Sequence, residues 1–283
     1  MAAAVLAGVA VAYTLHAAQR AQSADTSSAF GLDRGQLYFR STEAGAGRVA
    51  RLPASGEAAP QAARTTGGPS CERFYAAGGT GLCLQRRSGI PPKSYAVVLD
   101  DKLREKRRIA LTGIPNRARV SASGRMLSWT MFATGDSYAG SSFSTRTSIL
   151  DTRTGYLIKN MEEIPLTLDG RRYHAPDVNY WGVTFTKDDN VFYATVSTKG
   201  KRVREGTRDP WRLYVLDLRT MRERPLAERR NVDDQAAWLD DGTLAYALPG
   251  EDGRKQDIWA TPADGSGKPT LRVRGGSSPA AVR

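Results

Sequence analysis

The chain has 283 residues, of which 40% are apolar and 8% aromatic, enough to bury one sizeable core in a single domain. Its formal net charge of +12 comes from 41 basic against 29 acidic side chains, scattered and interleaved, with no readable nucleic-acid module or stacking array, which sets nucleic acid aside as a partner. Two histidines leave too few ligands and bases for the commonest metal-assisted or nucleophilic chemistries, and no cofactor is implied.

Residues 2–18 carry only small or apolar side chains apart from Thr14 and His16. As a helix they would cover roughly 25 Å against a bilayer core of about 30 Å, the length of a signal-peptide core or a short anchor. No Lys or Arg precedes the run and no small-x-small cleavage site follows it. Residues 1–18 therefore read as a short apolar helix, an uncleaved membrane anchor with the rest of the chain outside the cytoplasm, and a start site set too far downstream would explain the missing basic residues. Residues 19–29 are small and polar and read as a tether.

From Gly35 onward the chain turns to short apolar runs separated by Gly, Asp and Asn. Gly35-Gln-Leu-Tyr-Phe39 with Arg48-Val-Ala-Arg-Leu-Pro53 forms a first unit. Within it, Gly45-Ala-Gly-Arg-Val-Ala50 matches the dinucleotide fingerprint letter for letter, but Pro53 interrupts any helix that would receive a pyrophosphate, so a turn entering a strand is the better reading. Cys71 to Gln85 with Ser94 to Asp100 forms a second unit. The only two cysteines, Cys71 and Cys83, flank a Gly-rich hairpin, and a disulfide is favoured over two free thiols or a metal site. Lys102-Leu-Arg-Glu-Lys-Arg-Arg108 is the first of three basic clusters, with Lys199 to Arg204 and Arg219 to Arg230; they make a solvated basic surface to which anionic lipid headgroups or acidic polymers would be drawn.

Three clearer units follow. Val120 to Trp129 pairs with Thr147 to Gly155, Val183 to Tyr193 with Trp211 to Asp217, and Ala237 to Tyr246 with Asp257 to Gly265. The turns at Gly35, Gly81, Gly124, Asn190 and Gly242 recur about every 40 to 65 residues, the longest interval holding an insertion at 160–177. Each unit has about four short strands and cannot bury both faces of its sheet alone, so the units stack in a ring. The fold class is all-β, a propeller over residues 30–274, with residues 275–283 as a flexible tail; an ordinary sandwich is the alternative. A further blade could be assembled from irregular segments or from the two chain ends.

No catalytic constellation is readable. Gly135-Asp-Ser-Tyr-Ala-Gly140 lacks the spacing and the following helix of a nucleophile elbow. Asp188-Asp189 and Asp240-Asp241 fall where the repeat needs tight turns and lack a calcium ligand ladder. The irregular insertions 133–144, 160–180 and 197–209 are the segments a rigid scaffold would use for binding. Tyr173, His174, Tyr180 and Trp181 are the candidate contact residues, although Tyr180 and Trp181 equally suit an inner strand packed between blades.

The turn-plus-strand pattern of Ser121-Ala-Ser-Gly-Arg-Met-Leu-Ser-Trp129 and Trp238-Leu-Asp-Asp-Gly-Thr-Leu-Ala-Tyr246, with the strand ending Asp151-Thr-Arg-Thr-Gly155, resembles the TolB-like propeller repeat. The resemblance implies six blades, of which five repeats are recognisable, and a membrane-anchored or exported protein in the style of an actinobacterial envelope. It also implies a monomeric, non-catalytic scaffold for a protein, peptide or glycan partner. No α/β domain like the one preceding that family's propeller is readable here, so no partner contacts carry over residue by residue. A propeller hydrolase or lyase, or a membrane-tethered ligand sensor, is the competing expectation.

Overall fold

The computed structural model describes residues 30–43, 47–55, 64–90, 92–134, 143–168, 170–175, 178–197, 213–217 and 222–283. The expected anchor, residues 1–18, and tether, residues 19–29, lie outside the described residues. Among the described residues the chain is all strand apart from one short 3-10 turn, Met161–Glu163, and no helix is long and apolar enough to cross a membrane.

The sheets are antiparallel meanders taken up in chain order. β1 (Gln36–Ser41), β2 (Arg48–Pro53) and β3 (Thr65–Ser70) begin the first. β4 (Arg73–Ala77), β5 (Thr80–Arg87), β6 (Lys93–Leu99) and β7 (Glu105–Leu111) make the second. β8 (Ile114–Val120), β9 (Met126–Thr134), β10 (Phe143–Asp151) and β11 (Leu157–Ile158) make the third. Two-stranded sheets follow: β12 (Leu166–Leu168) with β13 (Arg171–Tyr173), β14 (Asn179–Phe185) with β15 (Phe192–Ser197), and β16 (Tyr214–Asp217) with β17 (Arg222–Pro225). The last meander is β18 (Ala237–Trp238), β19 (Thr243–Pro249), β20 (Gln256–Pro262) and β21 (Thr270–Val273). Finally β22 (Gly276–Val282) returns to pair with β1, giving the first sheet the order β22-β1-β2-β3.

The leading edges of successive sheets touch: β22 against β4, β4 against β8, β8 against β14, and β18 against β22. This is the inner ring of a propeller. Strand alternation supplies the packing between blades, because successive side chains point to opposite faces. Leu37 and Phe39 join Ala245 and Ile258 of the last blade, while Tyr38 between them joins Phe74 and Val97 of the second. Likewise Leu82 and Leu84 face Trp129 and Leu127 of the third blade, and Cys83 faces back to the first. The inner and middle strands β1, β5, β19 and β22 are buried on both faces, as a sheet stacked between two others requires, while the outer strand β7 is largely exposed.

Four blades are complete four-stranded sheets. Strands β14–β17 lie between the third blade and the last: Tyr180 and Val183 pack with Ile149 and Met161 on one side, and Leu213 and Val215 pack with Leu244 and Leu226 on the other. The described strands thus make four complete blades with these two-stranded sheets between the third and the last, and six complete blades are not found among the described residues. The chain ends do share a sheet, but within the blade of Gly35 rather than in an additional one. Residues 275–283 are not a tail. The strand β22 is buried along nearly its whole length, with Ser278 fully covered, because it forms the inner edge of the first blade.

The turn chemistry read from the repeats is present. Gly124 has φ +77°, and a Cβ there would meet the Gly78 carbonyl oxygen at 2.4 Å, so the close approach of two blades requires glycine. Asp188 and Asp240 each accept a backbone N–H two residues on, from Asn190 at 3.0 Å and Gly242 at 2.8 Å. Asp151 closes its turn in the same way and is clamped by Arg125, whose Nε donates at 3.0 Å and Nη2 at 2.6 Å. The Arg125 guanidinium holds the Asp151 carboxyl well below the usual carboxylate range.

Cys71 and Cys83 form a disulfide with Cα atoms 5.4 Å apart, tying the β3–β4 connection to β5. Closing so short a loop stabilises by about 3 kcal/mol in the chain-entropy model. Replacing both cysteines by alanine is expected to lower the unfolding free energy by about that amount, read from urea titration of oxidised and double-variant protein. A change below about 1 kcal/mol would count against a structural role for the bridge.

Candidate functional site

Strand direction places the three irregular insertions at one end of the ring. Thr134 pairs with Phe143, so residues 135–142 leave and return there. The backbone N–H of Thr145, two residues on, donates to Asn179 Oδ1 at 2.7 Å, which sets the start of β14 at the same end. Asn179 in turn pairs with Ser197, from which the third insertion departs. Residues 135–142 and 198–212 themselves lie outside the described residues; the 160–180 insertion is largely within them.

The insertion 160–180 is organised by Glu162. Its Oε1 accepts Thr145 Oγ1 at 2.9 Å and the Tyr180 N–H at 3.3 Å, and its Oε2 accepts the Thr147 N–H at 2.9 Å. One carboxylate thus satisfies donors from β10 and β14 and fastens the insertion to the third blade. Between this insertion and β10 lies a cavity of about 250 Å³, lined among others by Ser144, Arg146, Asn160, Glu163 and His174. Asn160 Nδ2 donates to Glu163 Oε1 at 2.9 Å, while Asn160 Oδ1 is buried without a donor among the described residues. The cavity opens to solvent, is lined by both polar and apolar groups, Ala175 and Val178 among the latter, and has the size of one side chain or small solute.

Of the four residues singled out in the sequence, only His174 lines this cavity, and it is exposed. Tyr180 is 9% exposed and lies in the core with Ile149, Val178 and Val183. Burial, and then the Glu162 charge, push its hydroxyl pKa up. Tyr173 packs against the same core. Trp181 stands edge-on to Phe132, ring centroids 5.7 Å apart. The geometry therefore places His174 at the cavity and the other three in packing positions.

A second polar constellation fills the ring near its axis, and no sequence signal pointed to it. Arg73 on β4 and Arg117 on β8 both face Asp234, at 3.2 and 3.5 Å, and Arg117 also reaches Asp233 at 3.4 Å. Gln235 Oε1 accepts the Ala118 N–H at 3.0 Å, and Arg119 Nη1 donates to the Ala236 carbonyl at 3.1 Å while lying 4.6 Å over the Tyr75 ring. Since β18 abuts β22 and not β8, the segment 233–236 just before it reaches across the axis and is held there by arginines from two other blades. Burial lowers the pKa of Arg117 despite the opposing charge of Asp234.

No family model matches the sequence, and no curated protein matches it. Among solved structures, TolB from Acinetobacter baumannii is similar at 16% identity and a TM-score of 0.41, over 83% of this chain and 52% of that one. The β-propeller domain of the Trilobed protease from Pyrococcus furiosus is similar at 10% identity and a TM-score of 0.29, over 72% and 57% of the two chains. The tricorn protease is similar at 8% identity and a TM-score of 0.36, over 86% and 34%. The chain spans about half the length of the TolB chain. What makes it a propeller is its own strand order and the packing between its blades.

Proposed function

We propose that this chain is a non-catalytic propeller scaffold of the cell envelope, outside the cytoplasm, which engages a protein or peptide partner with the end of the ring where its insertions emerge. The observation that carries this reading is the convergence of three insertions on one end beside an open cavity of about 250 Å³. A rigid ring presenting irregular loops is a binding platform. The Cys71–Cys83 disulfide supports an oxidising compartment, and the apolar segment 1–18 supports attachment to a membrane. His174 and Glu163 serve as partner contacts, and Tyr173, Tyr180 and Trp181 hold the insertion in place.

The test is cross-linking of the tagged full-length chain in native membranes, beside a His174→Ala/Glu163→Ala variant. One partner recovered at near-stoichiometric yield, and reduced at least about fivefold in the variant, is the expected result, since losing two interface contacts of ordinary strength costs that much or more. Recovery unchanged by the variant would move the contact elsewhere, and repeated recovery of nothing above background would overturn the scaffold reading.

A further inference from the structure

One loop at this end of the ring has a composition that partner binding does not explain. The β5–β6 connection runs Arg86-Arg-Ser-Gly-Ile-Pro-Pro-Lys93, and Ile90 near its tip is 105% exposed, more than in an extended reference chain. Arg87 and Lys93 are direct cross-strand partners, so two like charges face each other at the base of the loop, an arrangement that costs stability. Among the described residues Arg86, Arg87 and Lys93 form no ion pair; Arg87 instead lies 5.5 Å over the Tyr95 ring. The end of β7 lies alongside, since Ser94 pairs with Leu111 and Ser94 Oγ donates to the Gly113 carbonyl at 2.9 Å. This brings Ile114, 44% exposed, to the same end of the second blade.

The bare aliphatic tip gains nothing inside the fold, and the cations beside it have no carboxylate partner among the described residues, Arg87 meeting only the Tyr95 ring and Gln85 Oε1. Against a soluble polyanion the three cations would be used and Ile90 would stay in water. Against an anionic bilayer both are used: the isoleucine enters the acyl boundary and the cations meet the phosphates. We propose that the β5–β6 loop docks the ring onto an anionic lipid surface, with Ile90 inserted and Arg86, Arg87 and Lys93 at the level of the headgroup phosphates. This goes beyond the scaffold reading and does not depend on it, because lipid contact requires no protein partner. It turns the end carrying the insertions toward the membrane.

Residues 1–18 are apolar enough to bind vesicles by themselves, so the readout has to be local to the loop. Full-length Ile90→Trp protein is mixed with vesicles holding about one-third phosphatidylglycerol and brominated acyl chains, and the emission added at position 90 is followed. The expected result is a blue shift and quenching, absent with pure phosphatidylcholine and reversed by salt. Adding Arg86→Ser or Lys93→Ser should raise the lipid concentration for half-quenching about fivefold each. Unquenched emission while the protein floats with the vesicles would overturn the proposal. So would quenching indifferent to headgroup charge. Unchanged circular dichroism shows that the exposed tip is altered without loss of fold.

Discussion

Replacing Glu228 by alanine is expected to destabilise the ring by about 2 to 3 kcal/mol, the cost of leaving the wholly buried Tyr246 hydroxyl without its charged acceptor. Glu228 is 2% exposed and its carboxylate accepts four hydrogen bonds: from the Tyr246 hydroxyl at 2.6 Å and from Arg230 N, Nε and Nη2 at 2.7, 2.9 and 2.6 Å. Tyr246 is wholly buried on β19, and the Arg230 guanidinium lies 3.8 Å over the Trp259 ring on β20. Without the carboxylate, the tyrosine hydroxyl loses its acceptor in the core of the last blade, while the Arg230 guanidinium, 45% exposed, turns to water. Glu228→Gln keeps the volume and one acceptor and should cost less, about 1 to 2 kcal/mol.

The same group gives a pH signature. Burial would raise the Glu228 carboxyl, but the Arg230 side chain, the Tyr246 hydroxyl and the Arg230 backbone N–H outweigh it and hold it down to about 2, from an ordinary 4.5. A carboxyl depressed in the folded state stabilises fully above its unfolded pKa and loses that contribution as pH falls toward its folded one. The wild type should therefore weaken between about pH 5 and 2 by more than Glu228→Gln does, seen as converging urea midpoints. Parallel acid profiles of the two proteins would remove Glu228 from the acid response. Its position matters for the centre of the ring, because Asp233 and Asp234 follow it directly in the segment that crosses the axis.

How much of this was legible in the sequence depended on whether the information was local. The turns at Gly124, Asp151, Asp188 and Asp240 declare themselves because glycine or aspartate supplies both the turn and its hydrogen bond. The Cys71–Cys83 bridge was legible because it spans one hairpin. The closing strand β22 was not: Gly276-Ser-Ser-Pro-Ala-Ala-Val282 has small residues and a proline, and only its pairing with a strand at the other end of the chain makes it a strand. Parity along a strand was legible, but which face met which neighbour was not, so Tyr180 read as well as a contact residue as a core residue. Arg73, Arg117 and Asp234 were invisible for the same reason, being far apart in the chain and joined only by ring closure. Ile90 was passed over because a single apolar residue in a Gly/Pro-rich loop carries no periodicity.

Replacing Trp129 by alanine should cost about 3 to 5 kcal/mol, more than the loss of Glu228 and by a different mechanism. Trp129 is 1% exposed on β9 and fills the interface between the second and third blades, against Leu82, Leu84, Ala96, Val98 and Ala118. Its removal opens a cavity between two sheets that are each tied to a further neighbour and cannot collapse onto it. Its indole N–H meets no acceptor among the described residues, so Trp129→Phe, which removes a buried unpaired donor and keeps most of the volume, should cost less than about 1.5 kcal/mol. Trp238 begins the corresponding unit of the last blade, yet it is 43% exposed, and Trp238→Ala should cost below about 1 kcal/mol. Urea midpoints of the three variants decide the point: a large effect at Trp129→Ala alone follows if burial between blades, and not a tryptophan side chain as such, makes the residue indispensable. Equal costs at Trp129 and Trp238 would mean that the second and third blades are not packed through this residue as the structure has them.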